Sequence, residues 1–469
     1  MGHIENNNLT MPLPSLPALI HPATAKLIDN QREIIEELVH GLGSPLHFLL
    51  PDVFVETVKR FQQTMDAAGV DGFILYAKKA NKGRCFVERC PELGIGIDAA
   101  SIQEVEQALG CGVPNEHIGI TGPAKHPALL QLALRQRCLV AIDSLEELQA
   151  FALLARRSDC NGRILLRCKP DSQPDSRFGM TPEEREIALQ TCIAERDALT
   201  LEGLSFHLSG YSPQARATEA HRMIDACLDA QQRGLTRCIS VNIGGGFAVR
   251  YAEKTDWLTF IEQQQPSHYH ANKAFSNFYP YYSASHGAEM LADILASKLD
   301  QASPSLAQRL KRHAIRLFIE PGRALLDQAG FSAFQIQGVK DRLHEQGYGI
   351  LTVSGTSFSL SEQWFNSEYL PDPVLLSNHP ANGDDGDYAA CVGGASCLDD
   401  DMLSWRKIRF PRRPTPGDLL LYLNTAGYQM DSNESPFHDL PLPRKVVLGI
   451  AHGKPRWYLD DRSAPVSFI

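Results

Sequence analysis

The sequence predicts an α/β fold: a (β/α)8 TIM barrel, followed by a second, mostly β domain. Three observations predict it. Eight short apolar runs recur over the first two thirds of the 469 residues, separated by stretches of helical character. Reactive residues or glycines follow nearly every run. After about residue 330 the helical stretches give way to short apolar runs bounded by Pro, Gly and Asp. Alternating strand and helix patterns make parallel βαβ units, and eight of them close a barrel whose carboxyl-end loops carry the chemistry.

The expected strands are Phe73–Ala77, Gly94–Ile97, Ile118–Thr121, Leu139–Ile142, Arg163–Leu166, Leu204–Phe206, Ile239–Ile243 and Ile315–Ile319. Between them, Ser101 to Glu104 forms a capping-box pattern ahead of Val105 and Leu109. Ser144 is placed to cap Leu145–Arg156. Glu219–Ala230 puts Met223, Ile224, Cys227 and Leu228 on one face, as core packing requires. Beyond the barrel, Ile350–Val353, Leu419–Leu423, Val446–Ile450 and Arg456–Leu459 read as strands. Pro45–Leu50 is strand-like and precedes the barrel, so it is expected to join the C-terminal sheet. That divides the chain into a barrel at 51–330 and a discontinuous β domain at 1–50 and 331–469.

The connection across 247–314 is much longer than the others and rich in aromatics, with Ser267 to His270 and Phe278 to Tyr282 inside it. Loops of that length are functional or disordered, and the aromatics argue against disorder. No matching carboxylate or cysteine spacing accompanies His268 and His270, so no metal is expected.

The bulk numbers narrow the partners. A net charge of −10 and pI near 5.9 argue against nucleic acid or an anionic membrane. No apolar run reaches the ~20 residues that span a bilayer. The stretch Met1–Pro14 lacks the apolar core of a signal peptide. Eleven cysteines without CxxC pairs suit reduced thiols and a cytoplasmic location.

The chemistry begins with phosphate. Gly244, Gly245 and Gly246 follow the seventh strand, and glycines let backbone N–H groups approach an anion. Gly322 and Arg323 follow the eighth, where such barrels bind phosphate. Lys79 ends the first strand; in a partly apolar mouth it is expected to have a lowered pKa and to form a Schiff base with an aldehyde. An aldehyde, a phosphate and a carboxylate for a ring nitrogen together describe pyridoxal 5'-phosphate.

Tyr76-Ala77-Lys78-Lys79-Ala80-Asn81 resembles the lysine signature of the fold-type III pyridoxal-phosphate enzymes. Within them the chain resembles the ornithine, diaminopimelate and related basic amino-acid decarboxylases. The resemblance runs through Asp98, Ser176 to Gly179, His207, Gly244 to Gly246, Glu320 to Arg323, Cys397 with Asp401, and Tyr428. It implies a homodimer with shared sites. It implies Lys79 as the Schiff-base lysine, His207 stacked on the cofactor ring, and Asp98 in the cofactor site. Gly244, Gly245, Gly246, Gly322 and Arg323 would hold the phosphate, Tyr428 would reach the phosphate side of the site, and Glu320 would pair with the pyridine nitrogen. Cys397, as proton donor, and Asp401, near the substrate's distal group, would come from the other subunit.

Three features depart from the resemblance. Lys78 stands where a small apolar residue is usual, and the loop Gly394-Ala395-Ser396-Cys397 lacks a proline. The segment from Gln429 to Asp439 resembles decarboxylases acting on diamino acids or their conjugates in siderophore and related pathways. Asp399, Asp400, Asp401 and Asp431 suggest a cationic substrate end, and Asp399 and Asp400 equally suit a solvated loop. The expected reaction is amino-acid decarboxylation to an amine and CO2. Racemization or epimerization remains a second reading, and a non-catalytic cofactor-binding role a third. Glu320 argues for the first, because a carboxylate keeps the ring nitrogen protonated and able to absorb charge.

Overall fold

The computed structural model describes residues 13–362, 367–377, 387–451 and 454–461. Eight parallel strands close a barrel in sequence order, and Gly72–Ala77 pairs with Arg316–Ile319 to complete it. All eight expected runs are strands. The largest difference is the sixth, which runs over Leu199–Ser205 and so begins five residues before the expected Leu204.

Period-two alternation fills the barrel. Phe73 and Leu75 face inward and meet Leu139, Leu165 and Phe318 from the fourth, fifth and eighth strands. Ile74 and Tyr76 point outward into the main core, where the helices pack. The helix starts follow the expected caps. Ser101 accepts the Glu104 N–H at 3.2 Å, and Glu104 reaches back to Ala100 N–H at 2.7 Å. Ser144 accepts the Glu147 N–H at 3.2 Å and opens Leu145–Arg157.

The second sheet is built around Gly330–Lys340, which pairs antiparallel with Gly349–Val353 and Leu419–Leu423. It also pairs antiparallel with Leu46–Leu49, which in turn lies parallel to Arg444–Ala451. The early strand therefore lies inside the C-terminal sheet. The sequence reading had no strand at Gly330–Lys340, nor at Val374–Leu376, Tyr388–Gly393 or Met402–Phe410.

The long segment is a seam between barrel and sheet. The Tyr281 ring packs against Tyr251, Trp257 and Tyr279 from the segment and Tyr369 from beyond the barrel. His270 bonds the Tyr348 hydroxyl at 2.8 Å and His268 bonds Gln265 at 3.3 Å. Lys273 sits 3.7 Å above the Trp405 ring. Burial of these rings within one chain accounts for the aromatic bias.

A second seam explains two odd residues. Lys78 is buried and donates to Asn81 C=O at 3.1 Å. Burial, helped by nearby Lys445, pushes it down to about 8. Asp431, expected among the carboxylates for a substrate amine, is buried and paired with Lys445 at 2.6 Å. It also accepts the Lys82 N–H at 2.6 Å, so it ties the loop after the first strand to the sheet. It is a structural carboxylate.

Candidate active site

The loops after the first, sixth, seventh and eighth barrel strands enclose a cavity of about 390 Å³. Lys79, His207, Gly245, Gly246, Glu320, Gly322, Arg323 and Tyr428 line it. Sequence reasoning had selected each of these from residues spread over 350 positions of chain.

Lys79 donates to Asp98 at 3.0 Å, and Asp98 accepts the Thr121 hydroxyl at 2.5 Å. The lowered lysine pKa expected from an apolar mouth is not what the geometry gives. The Asp98 carboxylate holds the Lys79 ammonium above its ordinary value, outweighing burial.

Glu320 is buried and accepts the Asn242 side-chain amide at 2.6 Å. Burial pushes its carboxyl up to about 7, with Asp98 adding to the rise and Lys79 opposing it. The same Asn242 accepts the Gly244 N–H at 2.9 Å. One side chain therefore sets both the carboxyl and the start of the glycine loop.

The three glycines do different things. Gly244 has φ +67, and a Cβ there would lie 2.6 Å from His207 Nδ1. Its amide donates to Asn242, which shapes the turn. At Gly245 a Cβ would meet the Glu320 carbonyl at 2.6 Å, and its N–H donates to His207 Nδ1 at 3.3 Å. Gly246, at φ +79, lies on a buried arginine.

That arginine, Arg216, was not singled out by sequence. It is fully buried, and its guanidinium donates to the carbonyls of Ile243, Leu208, Gly210 and Gly246 at 3.1–3.3 Å. Burial pulls it down to about 10. Its helix, Pro213–Gln232, buries Ala220, Ile224 and Cys227 on the same stripe. An arginine on a core stripe was the available signal.

Around the rim, Arg323 lies 4.2 Å from the Tyr279 ring centroid and 5.0 Å from that of Tyr428. The long segment lines the cavity with Phe247 and backs its cation with Tyr279. Tyr428 adopts φ +78, and its N–H donates to Ala80 C=O at 2.8 Å. His207 is pushed down to about 3, first by burial and then by Lys79 and Arg216, so its ring is neutral. Phe178 lies between the guanidinium groups of Arg167 and Arg177, 4.4 and 4.1 Å from its centroid.

Cys397 and Asp401 do not line this cavity. Cys397 is exposed, whereas Asp401 is buried, with its carboxylate accepting the N–H groups of Ser357 at 2.7 Å and Ser396 at 3.1 Å. Asp401 therefore shapes the cysteine loop. The residue after Cys397, Leu398, is an exposed hydrophobe.

Pyridoxal phosphate fits these residues. The loop presents glycines where side chains would collide, Arg323 supplies a cation, and a donor-supported buried carboxyl faces the same space as Lys79. The fold and the cavity define a barrel enzyme of the Schiff-base class. Residues 52–327 match the family model described as pyridoxal-dependent decarboxylase, pyridoxal binding domain. The chain belongs to the pyridoxal-dependent decarboxylases of fold type III, which makes it a carboxy-lyase dependent on pyridoxal phosphate.

Similarity extends beyond the barrel. A Sinorhizobium fredii protein described as uncharacterized protein y4yA is 34% identical over 95% of this chain and 96% of its own. Diaminopimelate decarboxylase of Bacillus methanolicus is 24% identical over 89% and 90%. Diaminopimelate decarboxylase of Helicobacter pylori, solved with L-lysine, superposes with TM-score 0.70 at 16% identity, covering 90% of this chain and 95% of that one. Lysine/ornithine decarboxylase of Vibrio vulnificus, solved with cadaverine, gives 0.68 at 21%, covering 92% and 100%.

Proposed function

We propose that the enzyme decarboxylates a diamino acid or a conjugated diamino acid, giving an amine and CO2. The observation that carries this reading is Glu320, a buried carboxyl held by Asn242 in the mouth that contains Lys79. The named substrates and ligands of the relatives, diaminopimelate, lysine, ornithine and cadaverine, support the substrate class.

When bound, pyridoxal phosphate supplies the electron sink for the charge left at Cα as CO2 departs. Lys79 would hold the cofactor's aldehyde carbon. Glu320 would face the ring nitrogen and favour its protonated form. His207, neutral and buried, would cover one ring face. Gly245, Gly246, Gly322 and Arg323 would hold the phosphate, with Tyr428 beside them and Gly244 shaping their turn. Asp98 orients Lys79 through their ion pair.

Cys397 returns a proton to Cα. It lies outside the cavity of its own chain, which supports a homodimer in which each subunit lends its cysteine loop to the other. The barrel takes residues 51–330 and the β domain 1–50 and 331–469. Among the described residues no helix is long and apolar enough to cross a membrane. The free cysteines and acidic charge support a cytoplasmic enzyme.

The test is CO2 release by the cofactor-loaded protein from a panel of amino acids. Ornithine, lysine, arginine, diaminopimelate, diaminobutyrate, diaminopropionate and citrate-conjugated diamino acids are supplied in both stereochemical forms where available. Release from one member names the substrate class. Deuterium entering Cα without CO2 loss would replace this reading with racemization. Mixing Lys79→Ala with Cys397→Ala restores activity if sites are shared, and fails to if they are not.

A further inference from the structure

We propose that His438 is the proton partner of Cys397, holding and replacing the proton that Cys397 delivers. This rests on the reading of Cys397 as donor and adds a positioning residue that acts through it. Cys397 Sγ lies 3.2 Å from His438 Nε2, and the Cys397 backbone N–H points to the same nitrogen at 3.4 Å.

Both partners are held. His438 and Asp439 adopt φ +62 and +58, a left-handed pair without glycine. Such strain persists only where the surroundings over-determine it, and it concentrates at functional sites. The ring of Phe437 lies 4.3 Å from that of His438 and 6.2 Å from Phe358, which fixes the turn. On the cysteine side, Gly394 N–H donates to Asp401 C=O, Ala395 N–H to Gly355 C=O, and Ser396 N–H to the Asp401 carboxylate. Of eleven cysteines, Cys397 is the exposed one.

The exchange balances without any redox partner. With Nε2 unprotonated, the thiol S–H donates to it. After Cys397 gives that proton to carbon, the S–H bond is broken and a thiolate remains. Solvent then protonates Nε2, and Nε2 passes that proton to sulfur, which restores the thiol and the unprotonated Nε2. The charged groups around the pair are Asp399, Asp400 and Asp401 on the cysteine loop, Asp439 beside His438, and Lys273, which pairs with Asp400 at 3.2 Å. The imidazole is the base within hydrogen-bond reach of the thiol, so faster reaction of Cys397 would report His438.

The experiment is iodoacetamide alkylation of the holoenzyme between pH 5.5 and 9.5, with modification at Cys397 quantified by peptide mass spectrometry. Buried Cys391 is the internal control. Wild type is expected to react at pH 6–7 roughly tenfold faster than His438→Asn, whose rate should rise only near the ordinary thiol value of about 8.5. Coincident profiles would overturn the proposal. Should His438→Asn misfold, the wild-type profile alone decides: an inflection near the ordinary value overturns the pair. Turnover and product of Cys397→Ala are measured alongside. Wild-type turnover with clean product from that variant would sink the reading of Cys397 and the pair with it. An impaired Cys397→Ala with coincident alkylation profiles would sink the pair alone.

Discussion

Asn242 donates to Glu320 at 2.6 Å and accepts the Gly244 N–H at 2.9 Å, so one amide couples the buried carboxyl to the glycine loop. A hydrogen bond to a charged or partly charged group contributes about 1.5–3 kcal/mol, and its loss in the reacting complex lowers kcat roughly 10- to 100-fold. Asn242→Ala should show that loss in steady-state decarboxylation. In a Glu320→Gln background the same change should cost little more, because the two act as a unit. Additive losses would mean that Asn242 works through the glycine loop alone.

Glu320 makes a second prediction, for stability. An unfolded glutamate ionises near 4.3, whereas burial keeps the folded Glu320 carboxyl protonated up to about 7. Between those values the native state binds more protons, so this group lowers stability as pH rises through the window. Glu320→Gln should therefore stabilise the cofactor-free protein at pH 8 by on the order of 1–3 kcal/mol and leave it unchanged at pH 4. Thermal unfolding at both pH values is the measurement. An equal shift at both would show that the carboxyl carries no such burden.

The sequence showed the site better than it showed the supports of the site. Lys79, His207, Glu320 and Arg323 stand at strand ends, and a barrel gathers strand ends at one mouth, so position along the chain carried their chemistry. Asp431 was misread because composition shows charge and not burial. It is spent on the Lys82 amide and on Lys445. Gly330–Lys340 went unseen because it begins where the barrel pattern ends, and its first five residues are buried without alternation. Arg216 left a trace as a cation on an apolar helical stripe. Its four carbonyl partners lie in loops that only the fold brings together.

Arg216 should accordingly matter more than its distance from the chemistry implies. Arg216→Leu strands four buried carbonyls, at a cost of roughly 2–4 kcal/mol. The urea midpoint should fall, and the dissociation constant for pyridoxal phosphate should rise at least tenfold as the glycine loop loosens. Arg216→Lys should rescue neither, because one ammonium cannot span the same carbonyls as a planar fork. A lysine variant with wild-type affinity would show that charge alone suffices.

Asp98 bears on how the cofactor is captured. A lysine attacks an aldehyde as the neutral amine, and the Asp98 carboxylate 3.0 Å away holds Lys79 as the ammonium. Because the folded-state value lies above the ordinary one, the neutral form is scarce at pH 7 and grows as pH rises. Capture of pyridoxal phosphate by the cofactor-free wild type should therefore quicken steadily toward alkaline pH, followed as the visible band grows in stopped flow. Asp98→Asn removes the opposing charge. Each unit by which the lysine value falls raises the neutral fraction about tenfold, so the variant should capture faster at pH 7 and plateau earlier. Lys79→Ala, with no amine to offer, should develop no such band. A slower Asp98→Asn would mean that the carboxylate serves chiefly to aim Lys79, and that aim outweighs protonation.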